Sequence, residues 1–73
     1  MTNTALLRQK INEHGIKQGF IAEKLGLTSY GFAKKLNNET EFKASEIKIL
    51  CDLLNITSLR EKEAIFFDMT VDK

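Results

Sequence analysis

Apolar residues recur at intervals of three and four along most of the chain, and no proline interrupts them. Such spacing places apolar side chains on one face of a helix, and it does not fit the strict alternation that is typical of strands. The sequence therefore predicts an all-α protein, a compact bundle of about five short helices. The predicted helices cover approximately residues 4–14, 17–25, 29–37, 44–54 and 59–67.

Residues suited to starting and ending helices stand between these segments. Gly15 and Asn55 follow the first and fourth helices, where a left-handed residue commonly ends a helix. Thr28 can cap the third helix, and Ser58 with Glu61 forms a predicted capping box for the fifth. The fourth helix has the clearest apolar stripe. Its members are Ile47, Leu50, Cys51 and Leu54.

The chain has 73 residues and one cysteine, so its stability has to come from hydrophobic packing rather than from a disulfide bond. We expect a single domain over residues 1–73, with its core in residues 4–56. Residues 58–73 are then available for dimer or partner contacts, although the tail at 67–71 alternates in a strand-like way. A signal peptide and a membrane-spanning run are both lacking, so we expect a cytoplasmic protein that contacts no membrane.

The net charge is only +1, which is less basic than most nucleic-acid-binding domains. The distribution is more informative. Residues 16–43 carry five lysines against three glutamates, whereas residues 44–73 carry four basic residues against six acidic ones. One face of the molecule is therefore expected to attract a polyanion.

The second and third helices are separated by a short break at Gly26. A helix that stops there and restarts at Thr28 predicts two helices that cross steeply through a short turn, which is a helix-turn-helix unit over residues 17–37. Such a turn needs a small residue at Ala22 and a positive φ at Gly26. It also needs Leu27 and Phe32 to point inward.

These residues, in this register, resemble the Cro and repressor-like (lambda-repressor-like, XRE-type) helix-turn-helix regulators of temperate phages and their bacterial relatives. The resemblance covers residues 4–56, and "IAEKLGLTS" is its core. The segments "FAKKLNN" and "TEFKASEIKILCDLLN" look like those of small regulators from phages of Gram-positive hosts. The resemblance rests on Gln18, Ala22, Gly26, Thr28, Phe32 and Asn37.

The resemblance implies a transcriptional regulator that binds double-stranded operator DNA as a homodimer, a phage lysis/lysogeny switch protein of the Cro type in the bacterial cytoplasm. The implied base-contacting residues are Thr28, Ser29, Tyr30 and Lys34. The implied phosphate-contacting residues are Gln18, Lys35, Asn37 and Lys43. Helical geometry agrees for the first set, because side chains at 29, 30 and 34 point away from Phe32 and Leu36. Lys34 is long enough to reach guanine O6 and N7.

The sequence departs from the family pattern at three positions. Lys35 stands where a buried aliphatic residue is usual, so either its stem is covered while its ammonium reaches solvent, or the third helix is rotated and Leu36 is buried instead. Asn38 replaces a frequent glycine, which asparagine imitates because it tolerates the left-handed region. Gly31 lies inside the third helix, at a cost of about 1 kcal/mol against alanine.

A second function is compatible with the same surface. Some relatives act through a partner repressor, and the near-zero net charge suits an antirepressor or modulator of that kind. Phe20 and Tyr30 would then be the partner-binding residues, because exposed aromatic side chains are typical of protein interfaces. For a homodimer, the fifth helix with the apolar residues of 66–71 is the expected contact surface.

An enzyme is not expected. The chain has no glycine-rich phosphate-binding loop and no nucleophile motif, and one cysteine with one histidine cannot make a structural zinc site. Cys51 fits a small apolar core residue, and His14 fits the end of the first helix, where the helix dipole favours a positive charge. We therefore predict no cofactor and no metal.

Overall fold

The structure is a computed structural model that describes residues 1–68, and these residues form helices joined by short connections. The predicted all-α class is confirmed, since no strand occurs in residues 1–68. No helix in this part of the chain is both long and apolar enough to cross a bilayer. The strand-like alternation of the tail falls mainly on residues 69–71, which lie outside the described residues. The helices are α1 (Thr4–His14), α2 (Gln18–Leu25), α3 (Ser29–Leu36), α4 (Ala44–Leu53) and α5 (Leu59–Phe66).

Left-handed residues follow the helices at the predicted places. Gly15 ends α1 with a φ of 64°, and Gly26 ends α2 with a φ of 72°. Asn38 and Asn55 have φ angles of 59° and 54°, so asparagine does replace glycine after α3. Because asparagine tolerates this conformation better than other side chains, the chain can turn sharply at both positions.

Hydroxyl and amide side chains cap three of the helices. The Thr28 hydroxyl accepts a hydrogen bond from the Gly31 N–H at 3.0 Å, as predicted. The Asn3 side chain caps α1 in the same way, which the sequence did not suggest. Ser58 accepts from the Glu61 N–H at 3.4 Å. Only this half of the predicted capping box forms, because the Glu61 carboxylate pairs with Lys10 of α1 instead.

One hydrophobic cluster holds the helices together. Phe42, from the connection between α3 and α4, belongs to this cluster, and its ring meets those of Phe32 and Phe66 edge-to-face at centroid distances of 6.2 and 6.1 Å. Cys51 is only partly buried and packs against the cluster, and this burial raises the pKa of its thiol. The other buried apolar residues are Leu7, Ile11, Ile21, Ala22, Leu36, Ile47, Leu50, Leu54, Ile56 and Ile65.

Residues 1–3 run between the ends of α3 and α5. The Asn3 N–H donates to the Ile65 carbonyl at 2.6 Å, and the Asp68 N–H donates to the Met1 carbonyl at 3.1 Å. The side-chain amide of Asn38 donates to the Thr2 carbonyl at 3.1 Å. The first residues of the chain thus bridge two helix ends that are distant in sequence.

Helices α2 and α3 are joined by Gly26, Leu27 and Thr28. Leu27 is partly buried and its N–H donates to the Ala22 carbonyl at 2.9 Å. Ala22 and Phe32 are buried on either side of this connection. These are the local features that the helix-turn-helix interpretation requires of the sequence.

Candidate nucleic-acid interface

The outer face of α3 has the composition expected from the sequence. Ser29 and Tyr30 are exposed and Lys34 is partly exposed, whereas Phe32 and Leu36 on the opposite face are buried. Tyr30 is the most exposed large apolar side chain in residues 1–68, at 74%. The side chains predicted to contact bases therefore stand clear of the core on one helix face.

Each exposed aromatic residue of α2 and α3 has a lysine ammonium group close to its ring. The Lys34 ammonium lies 5.6 Å from the centre of the Tyr30 ring, and the Lys24 ammonium lies 5.3 Å from the centre of the Phe20 ring. Residues four apart on a helix are neighbours, and a cation is attracted to the face of an aromatic ring. Both pairs bring a positive charge and an aromatic surface to the same place.

Thr28 has a structural role as well as its predicted role as a base contact. Its oxygen accepts the Gly31 N–H, and a β-carbon added at Gly31 would lie only 3.2 Å from that oxygen. Glycine at 31 therefore leaves room for the cap. The Thr28 hydroxyl retains its proton, so it remains able to donate a hydrogen bond.

Three of the predicted phosphate contacts lie at exposed helix ends. Gln18 is the first residue of α2, and its neighbour Lys17 is the N-cap residue but provides no side-chain cap. Lys43 occupies the same place before α4, and Asn37 follows the last residue of α3. The side chains of these three residues and of Lys17 are exposed. The amides at a helix start and the charge of Lys17 favour an anion there.

The phosphate contact predicted for Lys35 does not hold. Lys35 is only 8% exposed, and its ammonium donates to the Glu46 carboxylate at 2.7 Å and to the Glu41 carbonyl at 2.9 Å. It also lies 5.8 Å from the centre of the Phe42 ring. Lys35 and Leu36 are both buried, so neither of the two arrangements expected for this position occurs. The ammonium is not available to a phosphate group.

Glu46 completes this buried ion pair. It is 5% exposed, and its carboxylate also accepts the Lys43 N–H at 2.8 Å. Burial alone would raise the pKa of Glu46, but the hydrogen bonds from Lys35 and Lys43 and the charges of both lysines outweigh burial and lower it. The pair joins α3, the 37–43 connection and the start of α4.

A lowered pKa in the folded state predicts acid sensitivity. The unfolded chain takes up a proton at Glu46 first as the pH falls, so the stability from this group is present above the ordinary pKa of 4.5 and is lost as the pH falls through the lowered folded value. We expect the free energy of unfolding to decrease as the pH falls from about 5 into the range below the ordinary pKa of a glutamate. Urea unfolding across this range should show a smaller decrease for Glu46→Gln, and an equal decrease would contradict the assignment.

Arg8 contacts the end of α3, and sequence reasoning did not predict this contact. Its guanidinium donates to the Asn37 side-chain oxygen at 3.0 Å and to the Leu36 carbonyl at 3.4 Å. The two contacts join α1 to the end of α3. No spacing pattern could reveal them, because Arg8 and Asn37 are 29 positions apart and only tertiary packing brings them together.

Other candidate chemistry does not come together. The His14 ring donates to the Lys10 carbonyl at 3.0 Å within α1, and residues 1–68 contain no cluster of three or more His, Cys, Asp or Glu side chains able to hold a metal ion.

The face expected to form the dimer contact includes a groove between α1 and α5. Leu6, Gln9, Ala64 and Ile65 line it, and the Lys10–Glu61 ion pair crosses it.

No protein-family model, no curated protein and no solved structure matches this chain. The resemblance to Cro and repressor-like regulators therefore depends on the residues of this sequence alone.

Proposed function

We propose that the protein is a sequence-specific DNA-binding transcriptional regulator, a phage switch protein of the Cro type, that uses α2 and α3 as a helix-turn-helix. The observation that carries the proposal is the outer face of α3, where Ser29 and Tyr30 are exposed at the start of a short helix and Lys34 is partly exposed in its last turn. A helix presented in this way fits the major groove. The short connection through Gly26 and the exposed start of α2 agree with it.

The roles follow from position and chemistry. Lys34 donates to guanine O6 or N7, while Ser29 and Thr28 bond base edges or contact a thymine methyl group. Gln18, Asn37 and Lys43 contact phosphates on either side of α3. Lys35 has no direct part, since its ammonium is buried.

Binding to DNA through several phosphates should weaken steeply as salt rises, because each contact releases condensed counterions. Titration of random and operator DNA at two salt concentrations tests this, with fluorescence anisotropy as the readout. The proposed homodimer should place two α3 helices about 34 Å apart on DNA, so sedimentation of the complex should show two protein chains per operator. Absence of salt-dependent binding at micromolar protein would remove the proposal.

Lys34→Ala separates two roles for this residue. If Lys34 reads a base, the substitution should cost about 1–3 kcal/mol of binding free energy at one operator position and leave random DNA almost unaffected. If it contacts a phosphate, all DNA should weaken alike. Lys48→Ala, an exposed lysine on α4, is the matched control and should change neither affinity.

A second candidate is a modulator that grips the DNA-binding face of a partner repressor. It is favoured by the exposure of Phe20 and Tyr30, at 45% and 74%, because large aromatic side chains anchor protein interfaces. The burial of Lys35 also removes one cation from the residues that were predicted to contact DNA. Co-expression with a candidate partner repressor should then give one peak in size-exclusion chromatography, and Tyr30→Ala should split it. Separate elution of the unmodified proteins would rule this candidate out.

A further inference from the structure

Two exposed side chains that can donate hydrogen bonds, those of Arg8 and Asn37, meet at the end of α3. Arg8 lies on α1, and Asn37 follows the last residue of α3; both are exposed. Within residues 1–68, the hydrogen bonds of the Arg8 guanidinium involve only its Nη2 atom, which donates to the Asn37 Oδ1 and the Leu36 carbonyl. The Nη1 and Nε donors of Arg8 therefore remain available to solvent or to a ligand.

The contact also fixes the orientation of the Asn37 amide. A guanidinium group has donors and no acceptor, so the Asn37 atom that faces it has to be the oxygen Oδ1. The amino group Nδ2 then points to the other side, and it donates to no residue in the described part of the chain. Arg8 thus turns the side chain of Asn37 into an outward-facing donor.

Arg8 also changes the electrostatics of this helix end. The carbonyl end of a helix carries a partial negative charge that repels anions. Arg8 bonds to the Leu36 carbonyl and brings a full positive charge to that end. Lys34 lies three residues before Asn37, on the same side of α3. An end that would otherwise repel phosphate is made favourable to it.

We infer that Arg8 and Asn37 together bind one phosphate group of the DNA backbone, with one of the available Arg8 donors, Nη1 or Nε, and the Asn37 Nδ2 as donors. The inference rests on the proposed DNA-binding function and adds α1 to the interface. Hydrogen bonds from a charged guanidinium group to phosphate oxygens are stronger than those between neutral groups, so one remaining Arg8 donor is enough for this contact. The contact positions α3 along the duplex and reads no sequence.

Arg8→Gln tests the inference, because glutamine has a similar helix propensity but no charge. We expect affinity to fall by about tenfold on operator and random DNA alike, and the slope of log affinity against log salt to fall by about one. Lys48→Gln, at an exposed lysine of α4, is the matched control and should leave affinity and slope unchanged. Thermal unfolding of both variants at each salt concentration shows whether any loss of affinity comes from a less stable fold.

The outcomes separate this inference from the proposed function. If the unmodified protein binds DNA and Arg8→Gln behaves like Lys48→Gln, the phosphate site is wrong and the function stands. If the unmodified protein binds no DNA, the function falls, and nuclear magnetic resonance with inorganic phosphate decides the site. Shifts of the Arg8 Nε–H and Asn37 Nδ2–H signals at matched ionic strength, with the Asn37 shift lost in Arg8→Gln, would support an anion site. Unmoved signals would overturn it.

Discussion

Replacing Lys35 by methionine is expected to lower the free energy of unfolding by about 3–5 kcal/mol, because the substitution leaves the Glu46 carboxylate buried without its cation. The Glu41 carbonyl loses a donor as well. A domain of this size has a total stability of about 4–11 kcal/mol, so the variant should be largely unfolded at moderate urea. Urea titration followed by circular dichroism measures the loss.

The double variant Lys35→Met/Glu46→Gln distinguishes a charge effect from a packing effect. The glutamine side-chain oxygen can still accept the Lys43 N–H, while no charge remains in the buried position. We expect the double variant to regain most of the stability that Lys35→Met loses, since replacing both members of a buried pair often costs little. If the single variant loses less than about 1 kcal/mol, the ammonium is not held as described.

Replacing Phe42 by alanine should also cost about 3–5 kcal/mol, as expected for deletion of a buried phenylalanine ring. The ring fills the space between Phe32 of α3 and Phe66 of α5, and it covers the Lys35 ammonium. Its removal therefore loosens two helices and exposes an ion pair at once. Phe42→Leu, which keeps most of the volume, should lose less. Equal losses of unfolding free energy for the two variants would show that side-chain volume does not explain the contribution of Phe42 to stability.

Tyr30→Ala is the control for these losses of stability. Tyr30 is an aromatic residue of α3 with an exposed ring, so its removal should change the free energy of unfolding by no more than about 0.5 kcal/mol. A stable Tyr30→Ala variant also makes the partner-binding experiment interpretable, because any loss of binding would then come from the missing ring. A large loss of stability would mean that the ring packs against the protein.

The helices could be predicted closely because their limits are encoded locally. Gly15, Gly26 and Asn55 are placed where a left-handed residue is needed, and Thr28 caps α3 through its own side chain. Each of these effects depends on residues within one turn of the position concerned. The outward face of α3 could be predicted for the same reason, since a helical period relates Tyr30 and Lys34 to Phe32.

The interactions that cross between elements could not be predicted. A lysine in the third helix was expected at the surface, but the 37–43 connection folds back and supplies Glu41 and Phe42 around the Lys35 ammonium. Its pairing with Glu46 spans 11 positions. The placement of Arg8 depends on how α1 packs against the end of α3. In both cases a charged group is satisfied by tertiary neighbours, which no periodic pattern specifies.

The bridge formed by residues 1–3 determines where an affinity tag or surface linker can be attached. Met1 and Asp68 are joined through their main chains, and Thr2 is bonded to Asn38 just beyond α3. Material fused before residue 1 would therefore start close to the ends of α3 and α5, where Asn38 and Asp68 lie. Lys48 is exposed on α4 and takes no part in these hydrogen bonds, so a fluorophore attached there would not disturb them.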